Sequence, residues 1–249
     1  MIRIKSSEEL AMIKKSGQIL AKIMTVLKGK LRSGITTKEL DSLTEGLVEK
    51  EGVLPAFKGY KGFPASLCTS INEEVVHGIP GERALLEGDL VSLDLGINYK
   101  GYFSDCAVTV AIGKLDYKRR KLLEVTRKAL QLGIKKAEAG NHLSDISHAI
   151  QACAEAEGFS VVRQFVGHGV GLSIHEEPEI PNFGQPHKGP VLKPGMVLAI
   201  EPMVNMGTWE VEILGDGWTV VTKDRLPSCH FEHTVAITEK GPEIFTKYG

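Results

Sequence analysis

No two cysteines of this chain form a CxxC pair: Cys68, Cys106, Cys153 and Cys229 are scattered along 249 residues. That spacing excludes a sulfur-built zinc clamp and a disulfide framework, and reads as reduced thiols of a cytosolic protein. An excess of charge of one sign is missing too. With 30 basic and 31 acidic residues the formal net charge is −1, which leaves no electrostatic footprint for DNA, RNA or anionic lipid. Long apolar runs are absent. Met1-Ile2-Arg3-Ile4-Lys5 passes directly into Ser6-Ser7-Glu8-Glu9, so neither a signal peptide nor a membrane span is expected, and the chain reads as soluble and cytoplasmic. P-loop, GxSxG and HExxH patterns are lacking, and Gly167-His168-Gly169-Val170-Gly171 is not GxGxxG, so none of those chemistries is indicated.

What is present is a core and an abundance of turns. Hydrophobic residues make up 42%, enough to exclude disorder. Glycine, at 27 residues, exceeds its usual share of about 7% and points to tight turns and close backbone approaches. The length suits one large domain or two small ones.

Order along the chain narrows that choice. Ser6 with Glu9 makes a capping box, followed by Leu10, Ile13, Gly17, Leu20, Met24 and Leu27 at helical spacing. Thr36 with Glu39 opens a second helix carrying Leu40, Leu43, Leu47 and Val48 up to Gly52. Strand-like text then runs through Leu67 to Ile71, Leu90 to Ile97 and Tyr102 to Ile112. The second half repeats this order, with a helix from about Asp116 to Ala139 and another starting at Ser144 and ending by Gly158. Gly34 to Gly52 is matched in length by Gly140 to Gly158, and Gly88 to Asp94 by Gly195 to Glu201. Two such copies suggest one duplicated α+β unit, with halves at about 1–113 and 114–249.

The carboxylates give the duplication a chemical meaning. A turn at Asn98-Tyr99-Lys100-Gly101, with Tyr99 and Lys100 central, would place Asp94 directly opposite Asp105. Like charges so paired are destabilising. At about 4 Å and an effective dielectric of about 20 they repel by about 4 kcal/mol. A shared proton, exposure to water or a bound cation could relieve this, and Leu93, Leu95 and Ile97 argue against exposure. Glu201 takes Asp94's place in the second copy, Glu232 precedes a strand as Asp105 does, and His168 adds an imidazole in a glycine-rich loop. Four carboxylates and one imidazole can bridge two divalent ions and balance their charge. His142, His148 and His187 read as surface or core histidines, and His230 and His233 as neighbours of Glu232, either supporting it or merely packed.

Cys68-Thr69-Ser70-Ile71-Asn72-Glu73-Glu74-Val75-Val76-His77-Gly78-Ile79-Pro80, Asp94, Asp105, the Gly167–Gly171 loop, Ile200-Glu201-Pro202 and Glu232 together resemble the type I methionine aminopeptidases. The resemblance spans essentially the whole chain. It implies an α+β pita-bread fold: a pseudo-twofold duplicated helix-helix-strand unit whose curved antiparallel sheet is covered by helices, forming a single catalytic domain. It implies removal of the initiator methionine from nascent proteins when the second residue is small. Asp94 would chelate one metal, His168 and Glu201 the other, and Asp105 and Glu232 would bridge them. The ions, cobalt, manganese, iron or zinc, would lower the pKa of a bridging water and polarise the scissile carbonyl. Glu201 would shuttle the proton, His77 contact the scissile amide and His175 stabilise the oxyanion. The methionine side chain would lie among Tyr60, Phe63, Cys68 and Trp218, with Phe57 and Ile174 close by. Phe57 stands where many members have cysteine, and Ile174 where an aromatic is common. A monovalent cation near Asn72, Glu74 and Ser228, transient ribosome association and a monomeric state are further implications. The rival readings are a proline-specific pita-bread aminopeptidase or dipeptidase, and a non-enzymatic pita-bread binding protein.

Overall fold

Ser6 starts the first helix. Its hydroxyl accepts the Glu9 N–H at 3.2 Å and the Glu9 carboxylate accepts the Ser6 N–H at 2.7 Å, the reciprocal bonds of a capping box. The computed structural model describes residues 2–248. Helix α1 (Ser7–Lys28) buries Ile13, Gly17, Leu20, Met24 and Leu27 along one stripe. Each large side chain so buried stabilises the fold by about 1.5–3 kcal/mol. Gly17 belongs to the stripe for a reason of space: a Cβ there would lie 2.7 Å from the Phe245 carbonyl oxygen. Thr36 and Glu39 cap α2 (Thr37–Lys50) in the same reciprocal way.

The first half continues with β1 (Leu54–Pro55), a single 3-10 turn at Tyr60–Gly62, β2 (Cys68–Ile71), β3 (Glu74–Val76), β4 (Leu90–Tyr99) and β5 (Tyr102–Ala111). Helices α3 (Tyr117–Lys136) and α4 (Leu143–Glu155) follow, then β6 (Ser160–Val161), β7 (Gly167–Gly169) and β8 (Glu176–Ile180). The chain ends with β9 (Val197–Ile200), β10 (Met203–Asn205), β11 (Val211–Ile213), β12 (Val220–Thr222), β13 (Ser228–His230), β14 (His233–Thr238) and β15 (Gly241–Ile244). Every described strand pair is antiparallel. One sheet has β4 at its centre, with β5 on one edge and β1 and β2 on the other; another runs β15-β14-β9-β7-β8. There are two further small sheets, β13-β10-β6 and β11-β12-β3, and β13 packs against β4 and β5. Helix α1 lies across β4 and β5, and α3 packs on α4. Their apolar faces and the strands' inner residues form one large core.

Three expectations are corrected. The β4–β5 hairpin pairs Tyr99 with Tyr102, so Lys100 and Gly101 are the central turn residues rather than Tyr99 and Lys100. Both have positive φ, 54° and 88°, the geometry a two-residue hairpin needs to match strand twist. Asp94 therefore pairs with Ala107, and Asp105 with Gly96. The two carboxylates are diagonal neighbours on one face, not directly opposed. Helix α3 ends at Lys136, before Ala139, because Ala137 turns out of helical geometry into the core. Helix α4 is entered from His142, whose N–H is accepted by Asp145 at 2.8 Å. Ser144 instead accepts the Lys188 N–H at 2.7 Å, tying the helix to the following loop.

Candidate active site

Asp94 on β4 and Asp105 on β5 project from one sheet; His168 on β7 and Glu201, just beyond β9, project from another. Glu232 lies between β13 and β14. The structure brings all five to one cleft of about 620 Å³. Ligand atoms of Asp105, His168 and Glu232 lie within 4.8 Å of one another. His168 Nε2 is 3.4 Å from Glu201 Oε1 and 3.9 Å from Asp105 Oδ2.

Charge makes this arrangement unstable by itself. Burial raises the carboxyl pKa values of Asp94, Glu201 and Glu232 well above the usual range, and their neighbours' charges raise them further. Burial raises Asp105 too, opposed by the Cys106 N–H it accepts. His168 donates from Nδ1 to the Gly169 carbonyl at 2.9 Å, which leaves a lone pair on Nε2 facing the carboxylates. Burial lowers this imidazole to about 3, so it does not supply a compensating proton at neutral pH. Among the described residues, Asp94 Oδ1 and Glu232 Oε1 are buried with no hydrogen-bond partner. Orphaned buried acceptors and an inward lone pair fit a divalent cation with oxygen and nitrogen donors. Burial also holds the nearby thiols of Cys68 and Cys106 protonated, so sulfur is not part of the donor set.

His77 and His175 stand over the same cleft. His77 has φ of 60°, an uncommon conformation for a residue with a Cβ. It is followed by a glycine that must be one, since a Cβ on Gly78 would lie 2.2 Å from the Thr69 carbonyl oxygen. Its ring meets Phe165 and Trp218 edge-on at 5.6 and 6.3 Å. His175 stacks on Tyr60 at 5.1 Å and lies 4.3 Å from the His168 ring. Burial lowers both to about 4, helped by His175 at His77 and by Lys61 at His175. Both are neutral at pH 7.

Tyr60, Phe63, Cys68 and Trp218 line the cleft beside the carboxylates, and Phe57 and Ile174 pack with them. Phe63 meets Trp218 edge-on at 5.2 Å. Gly96 makes this pocket possible: a Cβ would lie 2.8 Å from Phe57 Cε1 and 2.9 Å from Ile174 Cδ1. Sequence reasoning missed Gly96, along with Gln164, Phe165 and Val166, which also line the cleft. Those three lie in irregular backbone between β6 and β7, where no periodicity marks a facing side.

Asn72 and Ser228 are joined through the Ser228 N–H and the Asn72 carbonyl oxygen at 2.8 Å. Glu74 accepts the Ile71 N–H at 2.8 Å and pairs with Arg83 at 3.0 Å. His230 is buried with Nε2 3.5 Å from Glu201 Oε2. His233 bonds Thr246 at 3.1 Å.

Antiparallel sheets packed against helices, with buried carboxylates and one imidazole converging in a cleft, define a metal-binding protein. The profile of metallopeptidase family M24 matches residues 11–239, and the chain belongs to that family. It is 52% identical to methionine aminopeptidase 1 of Bacillus subtilis over 99% of this chain and 100% of that protein. The crystal structure of methionine aminopeptidase from Thermotoga maritima superposes with a TM-score of 0.98 at 46% identity, covering 99% of this chain and 100% of the other. Prolidase from Pyrococcus furiosus is more distant, with a TM-score of 0.81 and 27% identity over 99% of this chain and 66% of that one. The fold is therefore the pita-bread fold expected, and membership of M24 brings divalent-metal binding with it. No helix among the described residues is long and apolar enough to cross a membrane.

Proposed function

We propose that this chain is a metal-dependent aminopeptidase that removes N-terminal methionine from nascent proteins whose second residue is small. One observation carries the reading: the buried, unpaired carboxylate oxygens and His168 share a cleft with an apolar pocket, in a chain similar over its full length to methionine aminopeptidases. Asp94, Asp105, His168, Glu201 and Glu232 would hold two divalent ions of cobalt, manganese, iron or zinc. Such ions, when bound, activate water and polarise a carbonyl.

The chain's own residues supply the rest. The Glu201 carboxylate takes and returns the proton that moves to the leaving amine. His77 and His175 are neutral, so each presents a ring N–H to the substrate without adding charge; His77 meets the scissile amide and His175 the carbonyl oxygen as charge develops there. Tyr60, Phe63, Cys68 and Trp218 receive the thioether, an apolar and polarisable lining for a polarisable group. The proposal further includes a monovalent cation near Asn72, Glu74 and Ser228, a monomer acting in the cytoplasm beside the ribosome, and one catalytic domain built from related halves at about 1–113 and 114–249.

Purified protein loaded in turn with Co(II), Mn(II), Fe(II) and Zn(II) should release methionine from Met-Ala-Ser. It should leave Xaa-Pro peptides intact. Absence of methionine release with all four metals, or preferential Xaa-Pro cleavage, would overturn the reading.

A further inference from the structure

Strand β5 has β4 on one edge, but no ladder joins its other edge to β14. Contact across this gap pairs Asp105 with Thr234, Ala107 with Glu232, and Thr109 with His230, and the Cys106 thiol also donates to the Glu232 carbonyl oxygen at 3.4 Å. The pairs step by two residues in opposite directions, which is an antiparallel register. At both ends a hydroxyl does the work of a backbone. Thr234 Oγ1 accepts the Asp105 N–H at 2.9 Å and donates to the Asp105 carbonyl oxygen at 2.8 Å. Thr109 Oγ1 accepts the His230 N–H and donates to the His230 carbonyl oxygen, both at 2.8 Å. Between them the Glu232 N–H reaches the Ala107 carbonyl oxygen directly at 2.9 Å.

In a regular antiparallel pair the two main chains exchange these bonds themselves. Here a threonine side chain is interposed at each end, which holds the strands apart there and lets them close at Glu232. Asp105 and Glu232, one from each half, both lie in this seam. We infer that Thr234 and Thr109 are positioning residues that set the spacing of the Asp105 and Glu232 carboxylates so that both reach the same metal ions. Only a hydroxyl can donate and accept at one atom in this space. Thr234 and Thr109 are almost wholly buried, so bulk water cannot replace the lost bonds. The inference rests on the metal-ligand reading of Asp105 and Glu232.

Thr234→Val keeps the side-chain shape and removes both bonds, whereas Thr234→Ser keeps the hydroxyl. Co(II) binding should be followed by titration calorimetry and by the visible absorption of the Co(II) complex. Thr234→Val should lower Co(II) affinity about 10-fold, the lower end of what loss of a group bonded to a ligand side chain costs, because the bonds lost here hold the Asp105 main chain, and alter the absorption band. Thr234→Ser should restore both, and Thr109→Val should act in the same direction. A purely structural threonine would lower the melting temperature without changing the affinity or spectrum of the folded protein. If Thr234→Val does not fold, Thr109→Val read in the same way decides the matter. Wild-type affinity and spectrum in the folded valine variants overturn the inference alone. Failure of the wild-type chain to bind Co(II) overturns the metal reading and the inference with it.

Discussion

Asp94 shows how a single side chain can be legible in sequence while its geometry is not. Its carboxylate stands out because it closes an apolar strand and recurs as Glu201 in the second half. Its partner across the hairpin could not be read, because the register depends on which two residues take positive φ, and Lys100 gives no sequence signal for doing so. The consequence for charge survives the shift. Burial and the Asp105 charge raise the Asp94 pKa, against an unfolded value of about 3.9. In metal-free protein its contribution to stability is thus fully present below about pH 4 and is lost as pH rises through the folded value. Asparagine is neutral throughout. Metal-free Asp94→Asn should match the wild type near pH 4 and exceed it in urea resistance at pH 8. Histidine titration is common to both proteins and cancels in the difference. A difference that does not vary with pH would refute the account. With Mn(II) added the order should invert, because the variant lacks a proposed ligand.

At the scale of elements, helices were read more closely than loops. Capping boxes at Ser6 and Thr36 are local, and the structure keeps both; the start of α4 is not legible in the sequence because Ser144 is claimed by a loop 44 residues away. The segment between β7 and β8 depends on a still more distant contact. Glu176 accepts the Leu172 and Ser173 N–H groups at 2.6 and 3.0 Å, and its other oxygen pairs with Lys5 Nζ at 2.7 Å. Both side chains of this pair are almost wholly buried. The contact draws the N-terminal segment against the turn that presents His175, and sequence spacing offers no hint of it. Breaking a buried pair by removing one member costs about 3–5 kcal/mol, since the other charge is left unpaired. Lys5→Met should therefore lower unfolding free energy in urea by about that amount. Adding Glu176→Gln should recover part of the loss. Equal losses in the single and double variants would show that the charge is not what matters. A tighter contact, between a strand and its neighbours, is equally testable. Gly96→Ala should cost about 1–3 kcal/mol by overpacking and raise KM for Met-Ala-Ser, because the added methyl presses on Phe57 and Ile174 at the pocket.

For the whole molecule, the decisive fact is that the clustered groups come from sheets in different parts of the chain. Asp94 and Asp105 precede the α3–α4 pair, while His168, Glu201 and Glu232 follow it. Folding therefore concentrates four buried carboxylates that the unfolded chain keeps apart, and metal ions and protons compete to neutralise them. The direction of that competition can be worked out. The raised carboxyl values mean that metal-free native protein holds more protons than the unfolded chain, so its stability falls as pH rises through them. Histidines run the other way. His77 and His175, lowered to about 4, contribute stability that is present above about 6.5, the unfolded value, and lost as pH falls through 4. Above about pH 7.5, a unit beyond the unfolded value, these histidines are almost wholly neutral in both states, and the carboxylates dominate. Ions must displace carboxyl protons to bind, so metal affinity rises with pH. Ion at 100 times its dissociation constant adds about 2.7 kcal/mol, or about 5–10 °C for a chain of this size. Calorimetric melts in EDTA and in a fixed concentration of Mn(II) should show a gap that is larger at pH 8.5 than at pH 7.5, with the EDTA melting temperature itself falling between them. A gap of equal size at the two pH values would mean that the buried carboxylates are not the groups the metal neutralises.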